Sequence, residues 1–261
     1  MTPAEINFIL DNAPSIGCEL VKLSLQKDQG MWKDFLKFDF VKKIRKCASN
    51  RRDLLLSLGW LKNTDNAITV LSAILKDLTP KQRESMFVNT QGGGVIVDHW
   101  MAAIRFKDEN ELPCLQPPIF QHLRGLAGTM SKFGIDFNTN YSNSGYGKSV
   151  LSETVACLLH YSQNIFRHEH EEKLKFMMSL SPVIDDATKI RVLEHREPNS
   201  ATALIDFFEA NGCSKKEEWL SVASHPRVNK DTLAFFQARI ARDAIEEAIQ
   251  GSFLASPTRQ S

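Results

Sequence analysis

The sequence lacks long apolar runs, an excess of charge of either sign and paired cysteine motifs. No apolar stretch approaches the roughly 18 residues of a membrane-spanning helix, so we expect no membrane contact. Lys and Arg number 32 against 31 Asp and Glu, which gives no electrostatic reason to expect nucleic acid. The five cysteines are scattered among apolar runs without a Cys-x-x-Cys pair. They indicate reduced, packed thiols and a cytoplasmic protein.

Helical apolar spacing is present along the whole chain, whereas the alternation of a half-buried strand is not. It predicts about thirteen helices and an all-α fold. Capping boxes are predicted at Thr79–Gln82 and Ser214–Glu217. Thr2 is predicted to cap the first helix, with Pro3 at its first position and Glu5 in its first turn. A single amphipathic helix is expected over 32–47, and the last helix is expected to end at Gly251.

One stretch, 130–159, combines a helix end, a projecting turn and a second helix. The first helix stops at Gly134, a short extended piece follows, and a polar tip then leads into a glycine-rich turn. Apolar helices also stop at Ser181 and Gly212, so the stop residues are separated by 47 and then 31 positions. Repeated helix pairs of this kind stack to bury their apolar faces. The sequence therefore predicts an array with insertions.

The same stretch resembles a junction between ankyrin repeats. FGIDFN matches the exit from a second helix, and GKSVLSETVACLL matches the start of the next repeat. The match places Gly134, Asp136 and Asn138 at helix-exit positions, and Gly147, Ser149, Val150 and Leu151 at repeat-start positions. LIDFFEANG and WLSVASH resemble a further exit and a further first helix. Ser152 stands where the family has His, and Val150 where it has Pro.

The resemblance implies stacked helix pairs, that is, an α-solenoid with an ankyrin-like C-terminal half. It divides the chain into an N-terminal helical region (1–115), a divergent repeat region (116–251) and a tail (252–261). The implied function is non-catalytic binding of a partner protein through the concave face and the turn tips. By analogy of fold, such arrays occur in bacterial effectors and adaptors, either cytoplasmic or secreted into a host cell. The sequence leaves the oligomeric state open.

The predicted partner-binding residues lie on the tip between the two helices of this junction. They are Tyr141, Asn143, Tyr146 and Lys148. Tyrosine offers a large contact area at a low entropy cost, and small polar neighbours adapt to a partner surface. The alternative is that Tyr146 packs beneath its own loop.

A phosphate-binding loop is an alternative interpretation of the same residues. Segment 142–149 provides Gly145, Gly147, Lys148 and Ser149, which could cradle phosphates and hold Mg²⁺ before a helix. Ser142 replaces the first glycine of that motif, and no buried strand is predicted before the loop. Nucleotide binding therefore remains the less favoured hypothesis.

An enzyme with an unrecognised helical active site is the other alternative. It would need a pocket that joins Cys114, His122 and an acidic partner. Cys157 lies among apolar residues, where burial makes a thiol unreactive. His168 and His170 are two residues apart and diverge on a helix, so a solvated charged turn is predicted there instead of a metal site. We predict neither a metal nor a cofactor.

Overall fold

Every regular element in the described part of the chain is a helix. The computed structural model describes residues 1–44, 47–76, 78–87, 96–105, 117–138, 149–160 and 165–254. These residues form fourteen α-helices and two short 3-10 helices, without a β-strand among them. The prediction of an all-α fold is thus confirmed for the described residues.

The N-terminal half contains eight short α-helices and a 3-10 helix that extends the last of them. The α-helices are α1 (Pro3–Asn12), α2 (Pro14–Gln26), α3 (Met31–Leu36), α4 (Phe40–Ile44), α5 (Ala48–Leu58), α6 (Thr64–Lys76), α7 (Pro80–Phe87) and α8 (Ile96–Met101), and the 3-10 helix is Ala102–Arg105. Helix α2 packs against α1, α3 and α5, and α5 also packs against α8. The helices of this half therefore surround α2 and α5.

The described residues of the C-terminal half form six α-helices and a second 3-10 helix. They are α9 (Pro117–Lys132), α10 (Val150–His160), α11 (Ile165–Ser179), α12 (Asp186–Leu193), α13 (Pro198–Ala210), the 3-10 helix Lys216–Val222 and α14 (Lys230–Leu254). Helix α10 packs against α11 and α12, and α12 packs against α13 and the 3-10 helix. Helix α13 packs against α14, and α9 packs against α6. From α10 onward, each helix therefore packs against an element one or two positions away in the chain.

One of the two predicted capping boxes forms in full, at Thr79, and the predicted Thr2 cap is a complete box as well. The Thr2 amide donates to Glu5 Oε2 at 2.7 Å, and the Glu5 amide donates to Thr2 Oγ1 at 3.3 Å. At the start of α7, the Thr79 amide donates to Gln82 Oε1 at 3.0 Å, and the Gln82 amide donates to Thr79 Oγ1 at 3.4 Å. Each box satisfies two amides that have no partner inside the helix.

The three predicted stop residues each lie just after the end of a helix. The backbone of each one is in the left-handed region. Gly134, Ser181 and Gly212 have φ angles of 73°, 50° and 68°. After α9 the Ile135 amide donates to the Met130 carbonyl at 3.0 Å, and after α13 the Cys213 amide makes the same bond to Phe208 at 3.0 Å. These bonds satisfy carbonyls at the end of each helix. The predicted helix ends are confirmed.

Aromatic rings join the two halves of the chain into one apolar core. Phe137, in the extended piece after Gly134, lies between Trp100 of α8 and Phe176 of α11, with ring centroids 6.5 and 5.6 Å away. Phe120 of α9 contacts Phe176 at 5.2 Å. Edge-to-face contacts of this kind add to the stabilisation that burial of each ring provides. The extended piece is therefore part of the core.

The structure corrects two predicted helix bounds. The helix predicted over 32–47 is two helices, α3 and α4, because the chain turns at Asp39, where φ is 51°. Gly251 does not end the last helix, which runs to Leu254. A single glycine weakens a helix by only about 1 kcal/mol, and the surrounding Ala, Glu and Gln residues favour continuation.

The predicted capping box at Ser214 is wrong. Ser214 Oγ accepts from Trp219 Nε1 at 2.9 Å, and the short 3-10 helix begins after Lys215 without a side-chain cap. Trp219 is fully buried, and its N–H needs an acceptor there. At the start of α6, the Asn66 amide donates to Asn63 Oδ1 at 3.1 Å.

Candidate binding groove

The predicted partner-binding residues Tyr141, Asn143, Tyr146 and Lys148 lie outside the described residues, as do Gly145 and Gly147. The structure describes the chain on either side of them. Asn138 Oδ1 accepts from the Leu151 amide at 2.9 Å, and Asp136 Oδ1 accepts from the Asn138 amide at 2.8 Å. The two ends of the predicted tip are therefore held together at its base.

Ser149 begins α10 with a reciprocal pair of hydrogen bonds. Its amide donates to Ser152 Oγ at 2.9 Å, and the Ser152 amide donates to Ser149 Oγ at 3.1 Å. Both residues are fully buried. A serine at the third helical position does what Glu or Gln does in a capping box. The Ser149 hydroxyl therefore serves as a helix cap, whereas the phosphate-loop hypothesis requires it as a ligand of Mg²⁺.

A depression opens at the other end of α10, between α10, α11 and α13. Its volume is about 480 Å³. The apolar part of its lining is Leu158, Leu159, Leu174, Ala203, Leu204 and Phe207, and the polar part is Glu171, Lys175, Glu197, Asn199 and Ser200. An apolar surface with a charged rim is typical of sites that bind proteins or ligands.

A second, more polar depression lies directly beside the first. Its volume is about 680 Å³, and it shares Leu159 and Glu197 with the first depression. Its remaining lining is Ala156, Cys157, His160, Arg191, Glu194, His195 and Arg196. We call the two together the α10–α13 groove.

Ion pairs fix the polar half of the groove. Arg191 donates to Glu194 Oε1 at 2.7 Å and lies 3.3 Å from Glu153 Oε1, so it links α12 to α10. Glu194 also pairs with Arg227. His195 Nε2 lies 4.0 Å from Glu197 Oε2. The Arg191–Glu153 pair therefore ties the polar half of the groove to both α12 and α10.

Of the residues considered for an enzyme site, the structure describes Cys157 and His122. Cys157 lines the groove, but burial, and next the charge of Glu153, raise the pKa of its thiol. A protonated thiol is a poor nucleophile. His122 is buried in contact with Thr64 and Leu58, and Cys114 lies outside the described residues.

The charged start of α11 is not the solvated turn that the sequence predicted. Glu169, His170 and Lys173 are all buried, with 5%, 8% and 7% of their surfaces exposed. Glu169 and Lys173 form an ion pair one helical turn apart. Among the described residues no group of three or more His, Cys, Asp or Glu is placed to hold a metal ion. The side chain of His168 lies outside the described set.

The sequence did not predict the α10–α13 groove, although two local patterns point to it. Leu158–Leu159 and Phe207–Phe208 are pairs of adjacent apolar residues on helices. Adjacent helical residues point about 100° apart, so both members of such a pair rarely face the same core. Phe208 is fully buried, while Phe207 lines the groove.

Comparison with models of protein families, with curated proteins and with solved structures gave no match. Within the described residues, none of the helices has the length and apolar character needed to cross a bilayer.

Proposed function

We propose that this chain is a non-catalytic binding protein, built from stacked helix pairs with an ankyrin-like C-terminal half, that holds a partner protein in the α10–α13 groove. The tip residues Tyr141, Asn143, Tyr146 and Lys148 stay in the proposal as a second contact. The observation that carries it is the apolar floor of the groove between charged rims, where Ala203 is exposed and Leu159 and Phe207 are half-buried.

Repetition in the C-terminal half supports the proposed architecture. Helices α9, α11 and α13 end at Gly134, Ser181 and Gly212 with the same left-handed turn. Each turn leads into a shorter helix, and α10, α12 and the 3-10 helix Lys216–Val222 pack side by side in that order. Units that contact mainly their sequence neighbours are typical of repeat proteins.

The composition of the groove favours a protein over a small polar ligand. Its apolar half is lined by leucine, alanine and phenylalanine side chains, and its rim carries acidic and basic residues in ion pairs. Protein interfaces have this anatomy, with an apolar centre that excludes water and a polar rim. A charged side chain in the centre would disrupt such an interface at low cost to the fold.

The proposal is tested with the variant Ala203→Arg. Ala203 is exposed and lines the groove, so arginine adds bulk and charge there without entering the core. The matched control is Ala210→Arg, an exposed position on the same helix that lines neither depression. Affinity capture from cell lysate, quantified by mass spectrometry, compares both variants with the wild type.

We expect a partner that the wild type and Ala210→Arg capture in equal amounts. Ala203→Arg should capture at least about tenfold less of it, since an unpaired charge would be buried in the interface. A set of captured proteins that Ala203→Arg leaves unchanged would rule out the groove. The double variant Tyr141→Ala/Tyr146→Ala, measured in the same way, tests the tip separately.

A further inference from the structure

The last helix, α14, is joined to the rest of the protein by one of its faces. Phe236 is 1% exposed, Asp243 Oδ2 accepts from Lys216 Nζ at 2.9 Å, and Arg239 donates to Asp206 Oδ2 at 2.6 Å. Successive helical residues are rotated by about 100°, which places these three side chains on one side of the helix. This side faces α13 and the 3-10 helix.

The opposite face of α14 carries a second apolar stripe. Ile245 is about 180° around the helix from Phe236. Ile245 and Ile249 are 61% and 49% exposed, and Ala238, Ala241 and Ala248 are exposed beside them. Isoleucines that recur with alanines at helical spacing normally contact another surface. Among the described elements, α13 makes the most extensive contact with α14, and it does so on the side away from Ile245.

We propose that the stripe binds the same stripe of a second copy of this chain, with the two α14 helices antiparallel. A register centred on Ile245 places the two Ile245 side chains together. It also places Ile249 opposite Ala241 of the second copy, and Ala241 opposite Ile249. Large residues then meet small ones at both ends of the contact, which lets the helices approach closely. A two-fold axis repeats each of these contacts.

The charges beside the stripe fit this orientation. Arg242 and Glu246 lie on the same side of Ile245, about 60° and 100° around the helix from it. In the antiparallel register, Glu246 of the second copy lies about 3 Å along the helix axis from the level of Arg242, within reach of the guanidinium. A parallel pair would instead place the Arg242 and Glu246 side chains of the two copies on opposite sides of the contact, where they could not pair. The two-fold axis gives two such ion pairs.

The first experiment measures the mass of the full chain by light scattering during size-exclusion chromatography, over about a hundredfold range of concentration. We expect the wild type to approach a dimer. Ile245→Glu should raise the dimer dissociation constant about tenfold or more, because a charge would be buried without a partner. The matched control is Val183→Glu, at a turn residue that is 84% exposed, and it should leave the mass unchanged.

The second experiment tests the orientation by charge exchange. Arg242→Glu and Glu246→Arg should each weaken the dimer, since each places like charges across the axis. A mixture of the two variants should associate more strongly than either variant alone. Because each variant loses the ion pair between Arg242 and Glu246 within its own helix, the wild-type level need not be reached. In the mixed dimer, the two substituted side chains face each other with opposite charges, and the native Arg242 of one copy faces the native Glu246 of the other. Circular dichroism confirms that the variants remain helical.

Three results would overturn the proposal. A wild type that stays monomeric throughout the range excludes the second copy, and an Ile245→Glu variant with wild-type mass excludes the stripe. If the mixed charge variants associate no better than either alone, the antiparallel register is wrong. These outcomes are independent of the α10–α13 groove, whose test uses a different helix.

Discussion

The Nε2 atom of His122 lies 2.8 Å from the carbonyl oxygen of Leu58. A carbonyl oxygen can only accept, so Nε2 carries the hydrogen. Nδ1 lies 3.0 Å from the hydroxyl of Thr64, which can donate its hydrogen to a neutral ring. Both nitrogens of the buried imidazole are satisfied in this tautomer. It joins α9 to the end of α5 and the start of α6.

We expect His122 to make the protein less stable in mild acid. Burial lowers the pKa of His122 from 6.5, and the hydrogen bond to Leu58 offsets only part of this effect. The unfolded chain therefore binds a proton more readily than the folded one. The stabilisation is complete above about pH 6.5 and declines as the pH falls below it, by at most about 1.4 kcal/mol per pH unit.

Urea unfolding between about pH 7 and pH 5 measures this decline. His122→Gln cannot take up the proton and should show a smaller dependence on pH, although it is less stable at pH 7. Gln121→Ala, an exposed neighbour on α9, is the control and should keep the wild-type dependence. Equal pH dependence in wild type and His122→Gln would contradict the prediction.

Gly59 is predicted to tolerate no side chain. A Cβ added there would lie 2.3 Å from Cδ1 and 3.0 Å from Cα of Trp100. The Trp100 ring cannot withdraw, because it is fully buried and its Nε1 donates to the Leu55 carbonyl at 2.8 Å. We expect Gly59→Ala to lower the free energy of unfolding by about 1–3 kcal/mol.

Gly128→Ala is the matched control for Gly59→Ala. Gly128 lies within α9, is exposed, and has open space where the new methyl group would lie. Alanine should therefore stabilise the protein by about 0.5–1 kcal/mol. Thermal unfolding of the two variants in parallel checks that Gly59→Ala destabilises the protein and that Gly128→Ala stabilises it. A Gly59→Ala variant as stable as the wild type would show that Trp100 can move.

The Glu169–Lys173 pair should be sensitive to the loss of either partner. Both side chains are less than one tenth exposed, so a single substitution removes the opposite charge that the remaining buried group contacts. We expect Glu169→Leu and Lys173→Met each to cost about 3–5 kcal/mol, and the double variant to cost much less than their sum. Additive losses, measured by urea unfolding, would contradict this coupling.

A second ion pair on the same helix provides the control for Glu169–Lys173. Lys175 lies 2.6 Å from Glu172, and the Lys175 side chain is 57% exposed. Lys175→Met should change the free energy of unfolding by less than about 1 kcal/mol, since solvent screens an exposed pair.

Ser181 is expected to be a strained equivalent of Gly134 and Gly212. Its φ of 50° is unfavourable for a residue with a Cβ. Ser181→Gly should therefore raise the free energy of unfolding by about 0.5–1 kcal/mol, whereas Gly134→Ala and Gly212→Ala should lower it. Both glycines have open space where a Cβ would lie. Any loss of stability in their alanine variants would therefore come from the backbone angle alone. Thermal unfolding of the three variants checks these signs.

The sequence correctly predicted helix starts and ends where the donor and acceptor atoms of the capping hydrogen bonds lie within a few residues of each other. The Thr2 and Thr79 boxes form within three residues, and the turns at Gly134 and Gly212 close within five. The prediction fails where a buried side chain, even one five residues away, competes for the same atom. Ser214 accepts from the buried Trp219 ring, although its sequence context predicted a cap.

The two candidate sites, the tip and the groove, also differ in how far the sequence could predict them. The predicted tip is a continuous segment, and its residues could be named from the sequence, but they lie outside the described part of the chain. The α10–α13 groove brings Leu159, Leu174 and Phe207 together from three helices. The sequence showed that each of these residues is apolar, but it did not show that they share one surface.

By itself, the sequence determined the helical class, most helix ends and the apolar faces, because these depend on spacing and on hydrogen bonds within a few residues. The tertiary structure alone decided that Glu169 and Lys173 are buried, that Phe207 faces a groove and that Ile245 faces away from the domain. Each of these facts depends on how the helices pack against one another, which local spacing does not specify.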